Sequence, residues 1–333
     1  MNIKDVAVRA GVSVSTAYKV FDTAYTTSTD IREKVLAAAR DIGYIHKASY
    51  RNGSSGETKL IAHIVTESTA SNGFHSFITK ELMDELERYG YRLTVLYTNW
   101  SQEREKEDFE ILADHKIDGI IFTPARFDKN ESIERIIQNG MPVLQLFGSA
   151  YDHVDTLLFD DELGAYTAVK HLLQCGHTKI MMLSRHTSRT MDSRIKGYER
   201  AFAEAGVPLD PEMFCVLGFD ESVKNMISGV IRKKEPTAIV SVSEGISLCT
   251  LKAVHELKLS IPNDISLIAY DDFPWLAAFD ISAVSHPFKS VGTLGAQLIH
   301  NRVQEQYTGL TAPPSTLVLD PQLILRDSVK ILR

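Results

Sequence analysis

The residues in this sequence that could do metal or covalent chemistry are few and scattered. His171 and Cys175 stand four apart, one face of a helix, with His177 just beyond, a spacing from which imidazole and thiolate could reach one metal ion. No carboxylate or second thiol completes that set, and Gly176-His177 reads more simply as a helix end, a glycine cap followed by a polar turn. Asp160, Asp161 and Glu162 precede an apolar-periodic segment and read as an N-cap with first-turn acids, which suit a helix dipole, rather than as an acid–base pair. No GxGxxG, GxSxG, HExxH, or GxxxxGK followed by Ser or Thr occurs, so the usual signatures of a phosphate-cradling loop, a nucleophile elbow or a zinc helix are missing. Cys175, Cys215 and Cys249 are odd in number and widely spaced, which provides no disulfide framework and suits a reducing compartment. The expectation is a protein that is not an enzyme and carries neither metal nor cofactor.

Hydroxyls and bases instead gather near the start, where Ser13, Ser15 and Thr16 alternate with Val14, Tyr18 and Lys19. Such side chains contact phosphate oxygens and base edges. The net charge of −7 over 333 residues argues by itself against a polyanionic partner, but it is unevenly spread. Residues 1–59 hold nine Lys/Arg against six Asp/Glu, a balance of +3 that leaves −10 on the remainder. Only the N-terminal segment is electrostatically suited to nucleic acid.

Three short helices would position these groups. Ile3, Val6, Ala7 and Ala10 recur at helical spacing behind Asn2, a good N-cap. Gly11-Val12 breaks that helix, Ser13 can cap the next, and Ala17, Val20 and Phe21 form its apolar stripe. A third pattern starts at a Thr27/Ser28 cap, carries Ile31, Val35, Ala38 and Ile42, and stops at Gly43. In a helix-turn-helix the second helix enters the major groove. Here its outward residues are Val14, Ser15, Tyr18 and Lys19: Val14 for a thymine methyl, Ser15 for several base edges, Lys19 for guanine or phosphate, with Ser13 and Thr16 for phosphates.

Asn52-Gly53-Ser54-Ser55-Gly56 is too rich in small polar residues for a packed element and reads as a linker. Beyond it, strand-like runs at 60–65, 91–97, 119–122, 143–147, 180–183, 238–242 and 265–270 alternate with helical patterns such as 77–88 and 163–173. That alternation predicts parallel sheets covered by helices, and its length favours two doubly wound lobes with a ligand cleft expected between them. With 44% apolar and 24% charged residues, no run near the ~18 apolar residues of a bilayer span, and no signal-peptide core at the start, a cytoplasmic globular protein is expected.

Several segments carry a specific resemblance: Ile3-Lys4-Asp5-Val6-Ala7, Ala10 to Thr16, Arg32-Glu33-Lys34-Val35, Gly43-Tyr44, Asp118-Gly119-Ile120-Ile121, Gly176-His177-Thr178-Lys179-Ile180, Arg194-Ile195-Lys196-Gly197-Tyr198 and Ile261 to Asp272. In order and spacing the chain resembles the lactose-repressor (LacI) family throughout. The resemblance implies a small all-α headpiece (1–46), a hinge (47–59) and an α/β core like that of type I periplasmic binding proteins (60–333). Lobe one would hold about 60–159 and 289–317, and lobe two about 160–288 and 318–333. It also implies a homodimer that reads a pseudo-palindromic operator in double-stranded DNA, a repressor whose operator affinity a small sugar-like or nucleobase-like effector controls.

Carried over residue by residue, the resemblance puts DNA contacts on Val14, Ser15 and Lys19, and the candidate set is completed by Asn2, Ser13, Thr16, Tyr18, Ser28 and Tyr50. The family's hinge begins after Pro-Asn and inserts an Ala and a Leu into the minor groove; those positions here are His46, Lys47, Tyr50 and Gly53. Gly53 has no side chain to act as a wedge. The sequence therefore leaves open a Tyr50 wedge, a hinge disordered on DNA, or weak or partner-dependent operator binding. Effector contacts implied by the family fall at Phe74, His75, Arg194, Phe219 and Asp271, and its Asn-Asp pair is replaced by Ser243-Glu244. Asp271 and Phe219 also end strand-like runs, where doubly wound sheets bind ligands. Core aromatics and an Arg194–Asp271 ion pair are the alternative reading of the same residues.

Overall fold

The computed structural model describes residues 3–21, 27–42, 44, 58–67, 73–115, 117–184, 189–217, 223–308 and 312–332. Helices α1 (Ile3–Ala10), α2 (Val14–Phe21) and α3 (Thr29–Asp41) close around a core of their own, made by Ile3, Val6, Ala7, Ala17, Val20, Phe21, Val35, Ala38 and Ala39. These are the apolar positions that recur at helical spacing. Between α1 and α2 the chain reverses at Gly11, whose φ of 66° is a left-handed conformation that costs a glycine little. The Ser13 hydroxyl then accepts the Thr16 amide (3.1 Å) and starts α2.

After the headpiece, strands and helices alternate: β1 (Leu60–Val65), α4 (Gly73–Arg88), β2 (Arg92–Tyr97), α5 (Gln102–Asp114), β3 (Gly119–Phe122), α6 (Glu131–Gln138), β4 (Val143–Leu146) and β5 (Asp155–Phe159). There follow α7 (Asp161–Gln174), β6 (Ile180–Ser184), α8 (Arg189–Ala205), β7 (Phe214–Val216), α9 (Val223–Lys234), β8 (Ala238–Ser241), α10 (Glu244–Glu256) and β9 (Ser266–Tyr270). The last elements are α11 (Pro274–Ala278), β10 (Ser282–Ser285), α12 (Phe288–Thr308), β11 (Thr316–Leu319) and β12 (Gln322–Ile324). Two six-stranded sheets result, β11-β5-β4-β3-β1-β2 and β12-β10-β9-β8-β6-β7. Both central runs are parallel, and β12 joins its sheet antiparallel to β10. In each the strand order reverses once, at β1/β3 and at β6/β8, and such a reversal opens a crevice at the strand carboxyl ends.

The chain divides into two compact units, one of residues 1–68, 79–157 and 291–316, the other of 69–78, 158–290 and 317–333. Residues 69–78, counted with the first lobe on sequence grounds, group with the second because Phe74 and Phe77 pack against its core. In the first unit Asp118 accepts the Thr58 and Lys59 amides (3.0 and 2.7 Å), fixing the chain where β1 begins. Arg302 spans Asp155 (2.6 Å) and the carbonyls of Ala312 and Pro313, which fastens the segment leading into β11. Glu105 of α5 is buried with the Ala125 amide on its carboxyl (2.6 Å). In the second unit the C-terminal tail is stitched to the sheet: the Ser328 hydroxyl donates to the Leu267 carbonyl, the Lys330 amide to Ser266 Oγ (2.9 Å), and the Leu332 amide to the Cys175 carbonyl (2.7 Å).

Candidate functional site

On α2 the inward stripe leaves Val14, Ser15, Tyr18 and Lys19 exposed on the opposite face, with Val14 at 37% and Tyr18 at 50%. Ser13 Oγ lies 2.8 Å from Thr16 Oγ1 and 3.0 Å from Ser15 Oγ, so three hydroxyls form a linked row over the first turn. The positive end of the helix dipole there favours phosphate oxygens. Ser28, exposed, precedes α3 and gives its carbonyl to the Arg32 amide (3.0 Å). Asn2 and Tyr50 lie outside the described residues, as do the hinge positions His46, Lys47 and Gly53.

A second cluster assembles within the second unit, beginning with a helix crossing. Gly197 of α8 lies directly on the backbone of α7: a Cβ there would run into the Glu162 carbonyl and come within 2.8 Å of the Tyr166 amide nitrogen. That close approach brings Arg194, one helical turn earlier, onto Asp161, the first residue of α7. Arg194 Nε and Nη2 lie 2.8 and 2.7 Å from Asp161 Oδ1, Nη1 donates to the Val242 carbonyl (2.7 Å), and the guanidinium lies 4.2 Å over the Tyr270 ring. Burial works against the Arg194 charge, but Asp161, Tyr270 and Asp271 together outweigh it and hold the group above its usual pKa. The fork expected to grip ligand oxygens is thus closed on the protein's own carboxylate. The ion pair considered from the sequence exists, but with Asp161 in place of Asp271.

Asp271 has another partner. At the end of β9 it adopts φ 64°, a conformation Asp tolerates better than most residues, with its amide on the Val284 carbonyl (2.8 Å). β9 and β10 run parallel, Tyr270 opposite Val284, so Asp271 emerges beside His286. His286 Nδ1 lies 2.6 Å from Asp271 Oδ1; a carboxylate only accepts, so Nδ1 carries the hydrogen. The ring stacks on Phe159 (4.1 Å between centroids, 23° between planes), and Nε2 stands 4.0 Å from Asp161 Oδ1. Phe74 packs edge-on to Phe159 (6.2 Å) and Phe288 (5.6 Å), and buried His75 packs edge-on to Phe74. Ser243 precedes α10, whose first residue, Glu244, accepts the Gly73 amide (2.8 Å) and Trp275 Nε1 (3.3 Å). Among the described residues, His286 Nε2, Tyr270 Oη and Ser243 Oγ are buried atoms with no hydrogen-bond partner. Burial pushes the Tyr270 hydroxyl pKa up, partly offset by Arg194.

Phe74, Arg194, Ser243 and Asp271 therefore gather in one cluster with His75 at its edge, while Phe219 lies outside the described residues. Sequence reasoning passes over Phe159, Tyr270 and His286, reads Asp161 only as a first-turn acid, and meets Glu244 only as part of the replaced Asn-Asp pair. Asp161 does carry a signal, as a second acid beside Asp160, which alone is spent as the α7 N-cap on the Leu163 amide (2.8 Å). His286 carries none, since the four-residue strand before it is too short to announce where it ends. The other candidate cluster is structural. Cys175 Sγ lies 3.7 Å from His171 Nε2, and buried His177 bonds to Thr237, Ser266 and the Lys330 carbonyl. No group of three or more metal-ligating side chains is found among the described residues.

A helix-turn-helix headpiece on a two-sheet binding-protein-like core defines a ligand-responsive DNA-binding transcription regulator. Comparison with known proteins agrees: residues 2–46 match the model of bacterial regulatory proteins of the lacI family, and residues 169–329 that of a periplasmic binding protein-like domain. The chain thus combines a helix-turn-helix domain of the lacI family with a periplasmic binding protein-like domain. It is 28% identical to the HTH-type transcriptional regulator DegA of Bacillus subtilis, over 98% of this chain and 97% of that one. It is also 28% identical to the HTH-type transcriptional repressor PurR of Vibrio vulnificus, over 98% of each. A LacI family transcriptional regulator from Enterococcus faecium solved with bound ribose has the same fold (TM-score 0.71, 21% identity), over 82% of this chain and 100% of that one. Among the described residues no helix is long and apolar enough to cross a membrane.

Proposed function

We propose that this chain is a cytoplasmic, homodimeric repressor that reads a pseudo-palindromic operator through α2 and releases or tightens it when a small ring compound, sugar-like or nucleobase-like, binds in the second unit. The observation that carries the effector half is the cluster of Asp161, Arg194, Asp271 and His286, walled by Phe74 and Phe159, in which three buried polar atoms lack partners. Buried polar groups are nearly always satisfied, and a site meant for a ligand is the ordinary exception. Ribose in a protein of the same fold supports a sugar ring. Ser13, Val14, Ser15, Thr16, Tyr18 and Lys19 are the proposed DNA contacts on and around α2, joined by Asn2, Ser28 and Tyr50. Phe74, His75, Arg194, Phe219, Ser243 and Asp271 are the proposed effector residues. Arg194 acts there by holding Asp161 rather than by gripping ligand.

Selection of bound fragments from the source genome by purified protein at about 0.1 M salt tests the DNA half, because phosphate contacts still contribute there without swamping specificity. A shared palindromic sequence enriched by native protein but not by a Thr16→Ala/Lys19→Ala variant is the expected result. No enrichment, with or without sugars and purines, would remove direct operator reading and leave the partner-dependent alternative that Gly53 raises.

A further inference from the structure

The second-unit cluster is asymmetric in what it can offer a ligand. Every nitrogen of Arg194 is already engaged, Nε and Nη2 on Asp161 and Nη1 on the Val242 carbonyl. His286 gives its Nδ1 hydrogen to Asp271 (2.6 Å), so in the neutral ring Nε2 is a bare lone pair. That atom is buried and has no partner. Glu244, where the family's acid would be shorter, spends both oxygens on the Gly73 amide and Trp275. Among the described residues of this cluster, the carboxylates of Asp161, Asp271 and Glu244 thus outnumber the single guanidinium of Arg194, and its fork is already spent on the protein.

Resting on the effector reading above, we infer that the site takes a ring that donates hydrogen bonds, through hydroxyl or amino groups, and refuses the same ring once it is phosphorylated. His286 is the residue that sets this preference. Its Nε2 accepts from the ring, while the Nδ1 bond to Asp271 and the stack on Phe159 hold the imidazole in its orientation. A phosphate would bring one to two further negative charges against carboxylates that already exceed their cations, in a place where water cannot screen them. The regulator would therefore respond to a compound before the kinase step that commits it to metabolism, not after.

Matched pairs decide the matter. The full-length protein is titrated calorimetrically with D-ribose and ribose 5-phosphate, D-glucosamine and its 6-phosphate, and inosine and inosine 5′-monophosphate. Whichever ring binds, the unphosphorylated member is expected to bind at least about tenfold more tightly. In His286→Phe, which keeps the stack on Phe159 but removes the accepting nitrogen, that member weakens about tenfold while its phosphorylated form does not gain. In Asp161→Asn, which frees the Arg194 fork, the phosphorylated form gains and the gap narrows. Equal or tighter binding of a phosphorylated member by native protein would overturn the inference and leave the effector reading standing. Binding that His286→Phe does not alter would remove His286 from its role. Failure of all three rings and their phosphates to bind would overturn the effector reading and the inference with it.

Discussion

Arg194 is charged against the penalty of burial, with Asp161 the strongest of the groups that favour its charge, and the two are almost out of water. Replacing Arg194 by Met of similar volume leaves a buried carboxylate uncompensated, and stability should fall by about 3 kcal/mol in urea unfolding. Glu105 presents the opposite case. Burial raises its pKa from the usual 4.5 to about 7, with the Ala125 amide and Asp108 as smaller influences. A folded-state pKa above the unfolded one means the native state binds the proton more tightly, so stability declines as pH rises from about 4.5 to about 7 and stays reduced above it. Glu105→Gln, which can still accept the Ala125 amide, should remove that decline and stabilise the protein at pH 8 by up to about 3 kcal/mol. Thermal unfolding of both proteins from pH 5 to 8 reads it directly. At this scale the sequence identifies Arg194 and Asp271 but not their partners, because an ion pair depends on how two helices cross and how two strands end, neither of which is local information.

Elements are legible in proportion to their length and burial. The runs at 60–65 and 119–122 coincide with β1 and β3, which are buried throughout or nearly so. β7, β10, β11 and β12, three or four residues each, leave almost no periodic trace in the sequence, and β7, β11 and β12 lie at sheet edges. Caps were readable where hydroxyls and amides precede apolar stripes. Asn130, which takes the Ser132 and Ile133 amides (2.9 and 3.4 Å) at the start of α6, belongs to this class although only the structure identifies it. Asn130→Ala should cost about 1 kcal/mol, seen as a lower urea midpoint with an unchanged slope, and should leave operator affinity as it is.

For the whole molecule, charge is divided by task, +3 on residues 1–59 and −10 on the rest. The logarithm of operator affinity should fall linearly with log salt, and Lys19→Ala should lower the slope by about one if Lys19 meets a phosphate, or leave it unchanged if it meets only a base. Two lobes were legible from alternation and length, whereas the grouping of 69–78 with the second unit was not, since it depends on Phe74 and Phe77 finding their neighbours in space. The stitching of Ser328, Lys330 and Leu332 into the second sheet has a consequence for synthesis. The ribosome delivers the headpiece, whose nine buried core residues lie between residues 3 and 39, before the second unit; that unit lacks β12 and the tail behind it until residues 322–332 emerge. A chain released early would thus carry the part that grips DNA without the finished part that tells it when to let go, which makes the C-terminal tail a seal on a sensor completed last.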